Sequence, residues 1–186
     1  MESIFETVKR RFDANDLGYE QTDDEPVLRT GCRGKNGNYF AYAYADDDRR
    51  LLVFQSMCPL NAPESKRTAM AELLARINWI ITFGNFELDM EDGEIRFRTS
   101  VILGQNSVDE EIVDHIFLAN FSAIDTFFPV ITSVLFSNLA PENALEAFKS
   151  QNKGRKAKHN QGCPNNPPSS SRFGGRLGDL MGPSNN

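Results

Sequence analysis

Cysteine is scarce. The three cysteines, Cys32, Cys58 and Cys163, are widely spaced and form no Cys-x-x-Cys pair. An odd, scattered set points to reduced thiols in a cytoplasm, not to a disulfide framework or a zinc site. Histidine is scarcer still: His115 and His159 stand too far apart in sequence to suggest a shared metal. Gly34-Lys35-Asn36-Gly37 lacks the spacing of a phosphate-binding loop. Cys58, at a strand end before Pro59, has no recognisable base beside it in the pattern. No uninterrupted apolar run approaches the roughly 18 residues that cross a bilayer. The amphipathic N-terminus lacks the apolar stretch of a secretory leader. These absences predict a non-enzymatic, cytoplasmic protein without cofactor or metal and without membrane insertion.

What is present divides the chain of 186 residues in two. Residues 151–186 carry six basic side chains against one acidic, with 6 Gly, 4 Pro and 6 Asn. Such a segment has too little apolar surface to offset its ordering entropy, so a disordered, basic tail is expected. Residues 1–150 hold 14 basic and 25 acidic groups, 13 of the 14 phenylalanines and the single tryptophan. This acidic body repels nucleic acid at long range, and no nucleic-acid partner is expected. Its length suffices for one core without staples.

Within the body, Phe5, Val8 and Phe12 at helical spacing predict a first helix, with Gly18 as its stop. Residues 27–58 read as a three-stranded antiparallel meander. Asn36-Gly37 suggests a two-residue hairpin turn that pairs Cys32 with Ala41 and Thr30 with Ala43. A turn at Asp47-Asp48 would pair Ala43 with Leu52 and Tyr42 with Val53. Met70, Leu73, Leu74, Ile77 and Ile81 mark a second helix entered through Asn61 and Pro63, with Asn61 a candidate cap. Trp79 lies off this stripe, against a strand or a partner. Asp92-Gly93 predicts a hairpin pairing Met90 with Ile95, Leu88 with Phe97, Asp89 with Arg96 and Glu87 with Arg98. The last long helix is expected to start at a capping box, Ser107 to Glu110, and to bury Ile112, Ile116, Ala119, Ala123 and Phe127. Pro129 predicts a kink or break, with a short helix from Pro141 to Phe148 after it.

Period-two alternation sorts the meander into two faces. One carries Leu28, Cys32, Ala41, Ala43, Leu52 and Phe54, small enough in the middle for a helix to approach. The other carries Phe40, Tyr42, Tyr44, Leu51, Val53 and Met57, flanked by Arg29 and Arg33. Tyrosine and arginine around an apolar centre are typical of protein–protein hot spots. Either this face binds another protein, or helices and the tail cover it internally. In the tail, Phe173, Leu177, Leu180 and Met181 sit four and three apart among arginines, a candidate docking motif for another protein.

The block from Ile77 to Ser100, with Trp79, Gly84-Asn85-Phe86, Asp92-Gly93 and Arg96-Phe97-Arg98, resembles the signature of the YbjN family. Arg50-Leu51-Leu52-Val53-Phe54 and the Pro59…Pro63-Glu64 helix entry resemble it too, and the likeness covers roughly residues 1–140. The resemblance implies an α+β fold like that of type III secretion chaperones, ordered helix, three strands, helix, hairpin, helix. It also implies a bacterial regulator or chaperone-like adaptor that forms a homodimer and binds a protein partner, with no catalytic residues to carry over. The alternative expectation is a small-ligand sensor or enzyme with a pocket between the sheet and the third helix.

Overall fold

Ser3 starts the first element. Its hydroxyl accepts from the Glu6 amide at 3.3 Å and caps α1, Ile4–Ala14. A second cap comes from the sheet: Asp47 accepts from the Ile4 amide at 2.6 Å and from the Ser3 hydroxyl at 2.7 Å. Ile4, Thr7, Val8 and Phe12 form the buried stripe, while Phe5 is only half-buried. The helix does not run on to Gly18. It stops at Asn15, and Asp16 takes the left-handed turn with φ of 54°, a conformation that Asp tolerates. The computed structural model describes residues 2–22, 26–104, 109–137 and 139–159, with backbone alone for 152–159.

The two predicted strand groups join into a single sheet. Its strands are β1 (Tyr19–Gln21), β2 (Val27–Arg33), β3 (Asn38–Asp46), β4 (Leu51–Met57), β5 (Asn85–Leu88) and β6 (Ile95–Ile102). They lie in the order β1-β2-β3-β4-β6-β5, with every neighbouring pair antiparallel. The short β1 was not legible in the sequence, and neither was the β4–β6 pairing that joins the meander to the hairpin.

All three hairpin registers differ from the expected ones by two residues. Cys32 pairs with Tyr39, Ala43 with Phe54, and Leu88 with Ile95. The cause in each case is a longer loop held by a contact from outside the hairpin. Residues 34–37 wrap around Asp125 of the third long helix. Its carboxylate accepts from the Lys35 and Asn36 amides at 3.0 and 2.8 Å and from the Tyr39 hydroxyl at 3.0 Å. Residues 47–50 carry Asp47 to the start of α1 and place Arg50, at φ of 54°, in the interior. There its guanidinium donates to the carbonyls of Gly104 and Glu2 at 3.2 and 3.0 Å. Residues 89–94 pack under the lead-in to the second helix, where Ala62 donates to the Gly93 carbonyl at 2.7 Å. Gly93 has φ of 80°, and a Cβ there would lie 1.9 Å from the Ala62 oxygen. Because side chains alternate with period two, a shift of two leaves every facing assignment intact. Met90, expected opposite Ile95, falls in the loop and is exposed.

Helix α2 (Glu64–Ile80) begins after Pro63 without a side-chain cap; Asn61 instead reaches the Asp92 carbonyl at 3.4 Å. Met70, Leu73, Leu74 and Ile77 are buried as their spacing predicts. Helix α3 (Glu110–Phe136) is capped by Asp109, which accepts from the Glu111 amide, while the expected cap Ser107 lies outside the described residues. Its buried stripe runs through Val113, Ile116, Phe117, Asn120, Ala123, Ile124 and Phe127, leaving Ile112 exposed and Ala119 half-buried. Pro129 does not break it. The proline removes the amide that would pair with the Asp125 carbonyl, and Asn36 Nδ2 donates to that carbonyl at 2.8 Å instead. Among the described residues α3 is the one helix with the length and hydropathy of a membrane span, yet its apolar stripe lies on the sheet and the other helices. Helix α4 (Pro141–His159) continues past the expected end at Phe148, so the composition boundary at Gln151 falls inside it. Residues 160–186, the rest of the tail expected to lack structure, lie outside the described residues.

α1, α2 and α3 pack on one face of the sheet, and α4 packs on α2 and α3. One core cluster gathers α1, the first half of α3 and β2 to β4, with Phe12, Phe54 and Phe117 as its aromatic centre. The second gathers α2, α4, the second half of α3 and the β5–β6 hairpin, around Phe86, Phe97 and Phe127. Arg10 and Arg11 of α1 bind Glu110 and Asp114, and Arg10 holds the exposed Glu110 carboxyl below its usual range.

Between the clusters sits Asn120, fully buried. Its Nδ2 donates to the carbonyls of Phe54 and Phe97, both at 3.0 Å, and to Thr99 Oγ1 at 3.2 Å, while its Oδ1 accepts from Ser56 Oγ at 2.6 Å. Replacing Asn120 by alanine strands these buried groups and is expected to cost about 2–3 kcal/mol, read as a lower urea midpoint by far-UV circular dichroism. Asp125→Ala releases the loop instead. Stability is expected to fall by about 1–2 kcal/mol, with faster amide hydrogen exchange at Lys35 and Asn36 in particular.

Candidate protein-binding face

The helices take the face of the sheet that carries Leu28, Cys32, Ala41, Ala43, Leu52 and Phe54, as the alternation predicts. The opposite face is left open by every described helix. Register arranges its side chains in rows across the strands. One row runs Glu20, Arg29, Tyr42, Gln55, Arg98 and Asn85. The next on one side runs Gly31, Phe40, Met57, Arg96 and Glu87, and the next on the other runs Val27, Tyr44, Val53 and Ser100. Leu51 pairs with Asp46 and Ile102 at one end.

The residues singled out from the sequence therefore share this face. Phe40, Tyr42, Tyr44, Leu51 and Val53 lie together, Arg29 stands beside them, and Arg33 is exposed at the end of β2 opposite Asn38. Phe40 is 50% exposed, an uncommon state for a phenylalanine in the middle of a sheet. The Arg29 guanidinium lies 3.8 Å from the centre of its ring, and Glu20 holds that guanidinium from the neighbouring strand at 3.0 Å. Tyr44 donates to Asp46 at 3.3 Å, which orients the ring along the strand. Val27, Tyr42, Tyr44, Val53, Gln55 and Arg98 line a shallow hollow of about 300 Å³. Gln55, Val27 and Arg98 were missed from the sequence. Arg98 was assigned to a separate hairpin, and only the β4–β6 pairing brings it beside Gln55.

The hairpin carboxylates are engaged in ion pairs: Glu87 binds both Arg96, at 2.7 Å, and Arg98. Cys32 and Cys58 are free and buried, and burial pushes each thiol up to about 11, so both are protonated at neutral pH. Burial, then the bond to Asp125, likewise raises the Tyr39 hydroxyl above its ordinary value. His115 is exposed on α3. Among the described residues no three His, Cys, Asp or Glu side chains are grouped to hold a metal ion. The space between the sheet and α3, the place considered for a ligand pocket, is occupied by Phe54, Phe97, Phe117 and Asn120. The tail residues Phe173, Leu177, Leu180 and Met181 lie outside the described residues.

Residues 5–133 match the family model of YbjN, described as "Putative bacterial sensory transduction regulator". A crystal structure of YbjN from E. coli, titled a "putative transcription regulator", is similar to this chain at 19% identity with a TM-score of 0.44. The likeness covers 64% of this chain and 92% of that one. No curated protein matches. The family match spans α1 through most of α3, including the whole sheet and its open aromatic face, and the chain belongs to the YbjN family.

Proposed function

We propose that this protein is a non-enzymatic regulator that binds a partner protein on the open face of its sheet. The observation that carries the reading is the cluster of Phe40, Tyr42, Tyr44, Leu51 and Val53 on a face that no described helix covers, with Arg29 stacked on the Phe40 ring. Large aromatic rings lose little conformational entropy on binding, and an adjacent arginine supplies directional donors, the combination found at interface hot spots. The strands beneath are held rigid by the Asn120 and Asp125 networks, so the face is preorganised. Its arginines stand out against a strongly acidic body and favour a partner segment that joins apolar anchors to carboxylates. The family description as a regulator accords with an adaptor of this kind. The place of action is a reducing cytoplasm, in keeping with two free buried cysteines. The working form is a homodimer, as the chaperone-like fold implied by the family resemblance suggests.

Tyr42→Ala combined with Tyr44→Ala is expected to weaken partner capture from bacterial cytoplasm by about tenfold or more, equivalent to about 1.4 kcal/mol, with an unchanged circular dichroism spectrum. An identical set of captured proteins at identical yield overturns the assignment of this face. Sedimentation equilibrium at micromolar concentration is expected to give twice the chain mass, and a strict monomer overturns the dimer.

A further inference from the structure

Trp79 is the chain's single tryptophan, and it is 88% exposed. It stands where α2 and α4 form a groove of about 430 Å³. Ala75, Ile80 and Leu145 supply the apolar lining beside it, and Phe83, just past the helix end, is also exposed. The rim is acidic: Glu72, Glu142 and Glu146 face Arg76 and Lys149, three carboxylates against two cations. Arg76 is shared between Glu72 at 2.8 Å and Glu142 at 3.8 Å, and Lys149 lies 2.9 Å from Glu146. An exposed tryptophan over an apolar floor with surplus negative charge fits a segment with apolar anchors and positive charge.

The chain contains such a segment, tethered to one wall of the groove. Residues 160–186 follow directly on α4. Arg172, Phe173, Arg176, Leu177, Leu180 and Met181 set two cations and four apolar side chains, against the single carboxylate of Asp179, among glycines that let the backbone lie close. The reach is sufficient. From Lys149 at the groove to His159 at the helix end, α4 rises about 15 Å at 1.5 Å per residue. Residues 160–171 extend up to about 40 Å, more than enough to return. A tether of this length raises the local concentration into the millimolar range, so a contact too weak to form between free molecules forms within one. Charge disfavours the other occupants. A second copy docked here about a twofold axis would bring two acidic rims together.

We propose that residues 172–181 of the chain's own tail dock in the α2–α4 groove, with Phe173 and Leu177 against Trp79, Ile80 and Leu145, and with Arg172 and Arg176 at the acidic rim. This contact is independent of the sheet face and stands or falls apart from it. Trp79 is its reporter. In the full-length protein, tryptophan emission is expected to be blue-shifted relative to free tryptophan and poorly quenched by acrylamide, and to stay so on dilution. The full-length variants R172E/R176E and F173S, altered only in the tail, are expected to shift the emission to the red and raise the quenching constant several-fold, with an unchanged circular dichroism spectrum. Emission from the unaltered chain matching water-exposed tryptophan overturns the proposal. So does protection that both tail variants retain, or that disappears on dilution, since the occupant is then another part of the molecule or a second copy.

Discussion

A carboxamide with nowhere else to go holds this fold in one arrangement. Asn120 is buried on α3 between the two aromatic clusters, and its hydrogen-bonding capacity is met by Ser56, Thr99 and two sheet carbonyls. Rotating or sliding α3 leaves those groups unsatisfied in a low-dielectric interior, whereas apolar neighbours alone tolerate several packings of similar energy. With Asn120 in place, Phe117 falls toward Phe12 and Phe54, and Phe127 falls toward Phe86. One turn further on, Asp125 arrives at the β2–β3 loop and sets its shape. The helix thus fixes the sheet as much as the sheet fixes the helix.

The open face follows from that arrangement. α1, α2 and α3 crowd onto the side of the sheet with small and aliphatic residues in the middle strands, where Ala41, Ala43 and Ala45 allow close approach. The opposite side keeps its bulky rings and arginines. The sheet supplies the rigidity, and its outward rows set aromatic rings and arginines against an otherwise acidic body.

Much of this was legible in the residues because the side-chain period of a strand is insensitive to shifts of two. The hairpins at residues 34–37, 47–50 and 89–94 were each expected to be tighter than they are, yet Tyr42, Tyr44 and Val53 were placed on the correct side. The turn dipeptides Asn36-Gly37 and Asp92-Gly93 located the reversals correctly, and their lengths were decided elsewhere. Asp125 lies 89 residues from Asn36, and Ala62 meets Gly93 from the start of another helix. Local propensity contains no information about either. Pro129 illustrates the same limit: by itself it argues for a break in α3, but Asn36 takes up the carbonyl it strands, and the helix continues.

Periodicity, turn residues and composition were enough to determine the α+β class, the helices, five of the six strands and the two faces of the meander. These depend on the spacing of a few neighbours along the chain. The joining of β4 to β6, the lengths of the loops, the polar bridge at Asn120 and the exposure of the tyrosine face were decided only by tertiary structure. Each depends on groups far apart in sequence competing for the same buried hydrogen bonds and the same side of the sheet, and that competition is resolved only when the whole chain packs at once.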